Sequence, residues 1–159
     1  MVDPHLRCEL SDLIHRFAAS IDRRDWTGFR GCLDERVSVE LDDSIGGSDP
    51  APKPAEDWVI NARGFFDVLD ATHHHVTPYE WTRDEDGDGG GAVTVMSYFR
   101  AGHFKNVIVG GATFDQVGTY HHRCVRREAG WRIAGWVQRI NYSEGNAKLL
   151  AVRGDGSPS

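Results

Sequence analysis

The chain has 159 residues, the length of a single domain spanning 1–159; at that size about two thirds of the unfolded surface can be buried without help from disulfides or metal. A hydrophobic fraction of 40% and a charged fraction of 26% are those of an ordinary soluble globular protein and exclude disorder, collagen and coiled coil. The net charge of −6, from 18 Lys and Arg against 24 Asp and Glu, repels phosphate backbones and argues against nucleic acid as a partner.

The amino terminus, Met1-Val2-Asp3-Pro4-His5, has no apolar run after a basic start, so no signal peptide is expected. No stretch approaches the roughly twenty apolar residues of a membrane span. Apolar residues at Leu10, Leu13, Ile14, Phe17, Ala18 and Ile21 follow the i, i+3, i+4, i+7 rule and predict an amphipathic helix, with Ser11 or Asp12 as its cap. Asp25 then caps a short second helix running to Leu33, and Val37, Val39 and Leu41 alternate with polar residues as a strand does. Residues 43–56 hold three prolines and two glycines and read as a loop. A third helix over about Glu56–Leu69 buries Trp58, Ala62, Phe65, Phe66 and Leu69.

From residue 72 the pattern changes to strands, at about 72–82, 92–104, 107–127 and 131–142. Helices first and a long antiparallel sheet afterwards make an α+β order, because parallel crossovers would need helices between the strands. Gly110-Gly111 and Gly118 fall inside the sheet pattern, where glycine marks a bulge or bend. A sheet bent in this way curls over a helix and leaves a cavity for a small molecule. The core spans about 8–146, and the tail 153–159 is expected to fray. Strand residues Val93, Val95, Phe99, Val117 and Val125 are too apolar for an exposed outer face, which predicts a homodimer or homotrimer through that face.

Cys8, Cys32 and Cys124 stand at no metal-like spacing and read as reduced packing thiols of a cytoplasmic protein. The run Asp84-Glu85-Asp86-Gly87-Asp88-Gly89 opens like a calcium loop but places Val95 where a bidentate glutamate is required, so it reads as a hairpin turn. Strand alternation sends His74 to one face and His73 and His75 to the other, which leaves no converging metal set. More telling are histidines at 74 and 103 in consecutive strands, in a chain whose first helix ends in Ser20-Ile21-Asp22. A carboxylate orienting an imidazole makes a general base near neutral pH, and spacing leaves Asp22 and Asp25 both open for that task. Arg139 sits among apolar and aromatic residues of the last strand, placed either to clamp an anion or to form a surface ion pair.

The order of elements, Ile21-Asp22-Arg-Arg-Asp25-Trp26, Thr72-His-His74-His-Val76, Arg100-Ala-Gly-His103 and the closing Gly130-Trp131-Arg-Ile133-Ala-Gly135 resemble the SnoaL-like (polyketide-cyclase-like) branch of the nuclear-transport-factor-2-like superfamily, over about residues 10–145. Within that branch the motifs are most similar to those of scytalone dehydratases. The resemblance implies a cone-shaped α+β barrel: about three helices packed in a strongly curved, mostly antiparallel sheet of five to six strands, commonly oligomeric. It also implies that Asp22, His74 and His103 are catalytic, with His74 as base and His103 protonating a leaving hydroxyl or stabilising an enolate. Two tyrosines that hold a water on the substrate carbonyl in those enzymes correspond here to Ile21 and Leu41, and a polar residue of the last strand to Arg139. These three are the expected substrate-binding residues, and their change implies a changed substrate. The activity so implied is that of a lyase or isomerase without cofactor or metal, acting on an apolar cyclic or polyketide-like small molecule. An intramolecular aldol cyclase with the same dyad, and a non-catalytic binding module, are the alternatives. Asp22 and His74 within hydrogen-bond reach inside a closed pocket would favour catalysis.

Overall fold

The computed structural model describes residues 2–42, 50–84, 91–106 and 109–151. The predicted turn at 84–89 and the tail at 153–159 fall mostly or wholly outside them, as does the first half of the predicted loop at 43–56. Three α-helices, α1 (Pro4–Arg23), α2 (Trp26–Cys32) and α3 (Ala55–Phe66), accompany six strands: β1 (Leu33–Glu40), β2 (Lys53–Pro54), β3 (Ala71–Arg83), β4 (Val93–Phe104), β5 (Thr113–Arg127) and β6 (Gly130–Gly145). A 3-10 turn, Ala147–Ala151, follows. No described helix is long and apolar enough to cross a membrane.

Helix α1 begins earlier than its apolar stripe suggested. Asp3, not Ser11 or Asp12, is the cap: its side chain accepts from the amides of His5 and Leu6, and Pro4 stands in the first turn, where a missing N–H costs nothing. Asp25 caps α2 by accepting from the Gly28 amide. Helix α3 ends at Phe66, and of its expected core side chains Trp58, Ala62, Phe65 and Phe66 are only half-buried; Ala55 and Val59 are the buried ones. Those half-buried rings are free to line a cavity because the helix lies at the mouth of the sheet.

The sheet runs β2-β1-β6-β5-β4-β3. All pairs are antiparallel except β1 with β6, where the chain returns to its first strand after the β3–β6 meander. Lys53 and Pro54, read as loop, form the short β2 against β1. Strand β5 starts at Thr113, not near 107, because Gly110 and Gly111 adopt positive φ in the preceding turn rather than in the ladder.

One face of the sheet packs on α1 and α2, with Leu10, Leu13, Ile14, Val37, Val39, Val93, Val95 and Ile133 fully buried in a single core. Val93, Val95 and Phe99 are therefore inside, whereas Val117 and Val125, eight residues apart on β5, both follow its outward alternation, Val117 half-buried and Val125 buried. Three of the five residues behind the argument for association through that face thus lie in the interior. Cys32 and Cys124 pack in the interior as expected, whereas Cys8 is exposed on α1.

Two bulges set which residues of β6 look inward. The register slips between Arg123 and Cys124, and again between Val117 and Gly118. A Cβ on Gly118 would stand 1.9 Å from the Arg139 carbonyl oxygen, so only glycine admits this approach. Between the two slips Trp136 and Gln138 face the cavity and Arg139 faces away.

Candidate active site

A cavity of about 690 Å³ opens between the helices and the curved sheet, within the range of small-molecule sites. Its walls are largely apolar, with Phe17, Ile21, Leu41, Trp58, Phe66 and Trp136 prominent, and five polar side chains reach it from the sheet: His74, His103, Gln116, Tyr120 and Gln138.

Asp22 ends α1 beneath β3. Its Oδ1 accepts from His74 Nδ1 at 2.7 Å and from the Thr72 hydroxyl at 3.0 Å, while Oδ2 accepts from the His74 backbone amide at 2.8 Å. Asp25 is committed to its cap, so the choice between the two aspartates resolves to Asp22. Burial pushes the Asp22 carboxyl up, but the bonds from the His74 ring and amide and from Thr72 outweigh it and hold the group below the usual aspartate value. With Nδ1–H on the carboxylate, Nε2 of His74 is the ring nitrogen left for the cavity. Arg24 supports the arrangement: it occupies the left-handed position that ends α1, and its guanidinium donates to the Thr72 hydroxyl at 2.8 Å and to the Ile21 carbonyl at 2.8 Å. Thr72 opens one of the motifs quoted from the sequence, but the sequence assigns no role to it or to Arg24.

His103 is 4% exposed. Its Nδ1 stands 2.9 Å from the Phe114 carbonyl oxygen, which can only accept, so Nδ1 carries the proton and Nε2 is the free acceptor. Burial lowers the affinity of this ring for a second proton; the Phe114 bond opposes this and the neighbouring His74 reinforces it, and the net direction is down. The ring stacks on Phe66 at a centroid distance of 6.2 Å and lies 6.1 Å from the His74 ring. A neutral imidazole of this tautomer accepts a hydrogen bond from a hydroxyl. It does not donate to an enolate or protonate a leaving group, which departs from the role the resemblance implied.

Ile21 and Leu41 line the cavity. Arg139 does not. It lies on the opposite face of β6, with its side chain 47% exposed and paired with Glu40. The physical reason is the register set by the bulges, which turns Gln138 inward in its place. Gln138 Nε2 donates to the Tyr120 hydroxyl oxygen at 3.5 Å. Burial raises the Tyr120 pKa far above the usual value, so the hydroxyl stays neutral. Gln116, Tyr120 and Gln138 escaped sequence reading because alternating polar residues on long strands say nothing about which face is concave. His74 lines the cavity, while His73 and His75 are exposed on the other side of β3. No group of three potential metal ligands occurs among the described residues.

A family model described as SnoaL-like domain matches residues 5–137. The chain belongs to the SnoaL-like family. Among solved structures it is similar to the Kfla4162 protein from Kribbella flavida, at 28% identity and a TM-score of 0.79, covering 91% of this chain and 95% of that one. It is also similar to hexachlorocyclohexane dehydrochlorinase LinA-type3 from Novosphingobium barchaimii LL02, at 17% identity, a TM-score of 0.64 and coverage of 89% and 90%. ActVI-ORFA from Streptomyces coelicolor gives 14% identity, a TM-score of 0.67 and coverage of 86% and 98%. At the identities of the last two the likeness establishes the fold alone. No protein of the curated set matches this SnoaL-like chain.

Proposed function

We propose that this SnoaL-like protein is a cofactor-independent lyase or isomerase acting on an apolar, cyclic or polyketide-like small molecule. The observation that carries the reading is the 2.7 Å contact between Asp22 Oδ1 and His74 Nδ1 at the wall of a largely apolar cavity. The carboxylate fixes the imidazole tautomer with Nε2 unprotonated and stabilises the imidazolium that forms when Nε2 takes a proton from carbon. His103 Nε2 accepts from a substrate hydroxyl and orients it. The proton then resides on His74 Nε2, and the same imidazolium returns it, either to a departing hydroxyl in an elimination or to another carbon in an isomerisation. A relative in fold, the dehydrochlorinase, is named for an elimination, which fits this reading.

A positioned acid–base group contributes about 10²–10⁴-fold, and orientation and exclusion of water in the cone supply the rest. Bicyclic β-hydroxy ketones provide a test, because loss of water forms a conjugated enone that is followed by ultraviolet absorbance. Conversion by the wild type that disappears in His74→Ala is expected. Tight binding of these compounds with neither enone formation nor α-proton exchange would overturn the catalytic reading in favour of a binding module, and ring closure of an open-chain diketone to its cyclic aldol would identify a cyclase.

A further inference from the structure

Three residues stand side by side on the concave face of the sheet. His74 on β3 is in register with Ala101 on β4, and Ala101 with Gln116 on β5. Adjacent strands lie about 4.8 Å apart, so His74 and Gln116 face each other across about 10 Å of sheet, and between them Ala101 raises only a methyl group. All three line the cavity. The row is a notch with a base at one side, a carboxamide at the other and a floor low enough for a ring.

Gln116 is 5% exposed, and its Nε2 is buried without a hydrogen-bond partner among the described residues. Leaving a buried amide N–H unpaired is costly, and such a group in a cavity wall calls for an acceptor brought by a ligand. The other polar groups that the sheet brings to the cavity do not supply a donor at this row. His103 presents an acceptor, and Gln138 donates to Tyr120. Tyr120 itself lies four residues further along β5, about 13 Å at 3.3 Å per residue.

We infer that Gln116 Nε2 is the hydrogen-bond donor to the carbonyl oxygen of the substrate, and that the substrate is a carbonyl compound whose acidic C–H lies over Ala101, next to His74. The inference rests on the reading of His74 as the base. The C–H bond α to the carbonyl breaks, its proton passes to His74 Nε2, and its electron pair moves through the new C=C bond onto the carbonyl oxygen. The Gln116 N–H stabilises that enolate oxygen as charge develops. Reversal returns a proton, exchanged with solvent, from the imidazolium to the same carbon.

The test is the exchange of the α-protons of β-tetralone, an apolar bicyclic ketone, in deuterium oxide, followed by proton NMR with wild type, Gln116→Met, Gln116→Leu and His74→Ala. Both Gln116 substitutions replace the amide by an apolar side chain of similar size. They are expected to slow exchange by about 10²–10³-fold, the usual effect of removing one such donor. Because they also remove an unpaired buried amide, they are expected to raise the midpoint of thermal unfolding by about 2–4 °C. Exchange at the wild-type rate in Gln116→Met would overturn the inference while leaving His74 as base. So would slower exchange accompanied by a lower unfolding midpoint in both variants, which would make Gln116 a packing residue. A wild type no faster than His74→Ala would overturn the base itself and the inference with it.

Discussion

One carboxylate grips His74 twice: Asp22 Oδ1 takes the ring Nδ1–H at 2.7 Å and Oδ2 takes the backbone amide at 2.8 Å. An asparagine has only one oxygen for these two donors. In Asp22→Asn the backbone bond keeps the oxygen, the new NH2 group faces Nδ1, and the ring must shift its proton to Nε2, where the base was. The substitution is expected to preserve the fold and to lower exchange of β-tetralone by about 10²–10⁴-fold. Circular dichroism together with the NMR assay checks both halves.

Arg139 provides the opposite control. It pairs with Glu40 on the convex side of β6 and touches no part of the cavity. An exposed pair of this kind contributes about 0–1 kcal/mol. Arg139→Ala is expected to leave exchange within about twofold of wild type, and chemical denaturation should register at most that small loss.

The misplacement of Arg139 explains what could be read in advance. Helix α1, the strand pattern after residue 72 and the pair Asp22 and His74 follow from periodicity and motif, since each is a local signal. Which face of a strand is concave is not local. It depends on the bulges at Gly118 and near Cys124, where an extra residue on β6 inverts the alternation. The same uncertainty put Val93 and Val95 on the wrong face and hid Gln116, whose role appears only when β3, β4 and β5 are laid in register. Arg24 and Thr72 were hidden for another reason: Thr72 holds Asp22 from 50 positions away and Arg24 holds Thr72 from 48 positions away, and neither contact is local.

Gly118 anchors this register. Its missing side chain lets the Arg139 carbonyl approach to where a Cβ would meet it at 1.9 Å, and backbone cannot retreat as a flexible side chain can. Gly118→Ala is expected to cost about 1–3 kcal/mol or more, read as a lower denaturant midpoint. Exchange should fall as well, because Gln116 and Tyr120 are its inward neighbours on β5.

Acid should loosen the fold through His122. This ring is fully buried against Phe17 and Tyr120, neither nitrogen has a partner among the described residues, and burial, aided by the neighbouring His121, lowers its pKa to about 3. The unfolded ring takes a proton near pH 6.5 and the folded one does not, so stability is complete above that value and falls as pH drops toward 3. The slope is about 1.4 kcal/mol per pH unit for one such ring. His103 shifts in the same direction, and the Asp22 carboxyl adds a further loss below its unfolded value of 3.8. His122→Leu is expected to raise stability at neutral pH and to flatten the decline between about pH 6 and 4 by that slope. Urea titrations across this range provide the measurement; an unchanged slope would mean that His122 is protonated in the native state.

The central claim is that Asp22 and His74 act as one unit, and a double-mutant cycle on β-tetralone exchange tests it most directly. If the carboxylate works only through the imidazole, His74→Ala costs at least as much as Asp22→Asn, and the double variant is no slower than His74→Ala alone. Rate losses that multiply in the double variant would contradict the account, since each residue would then contribute without the other.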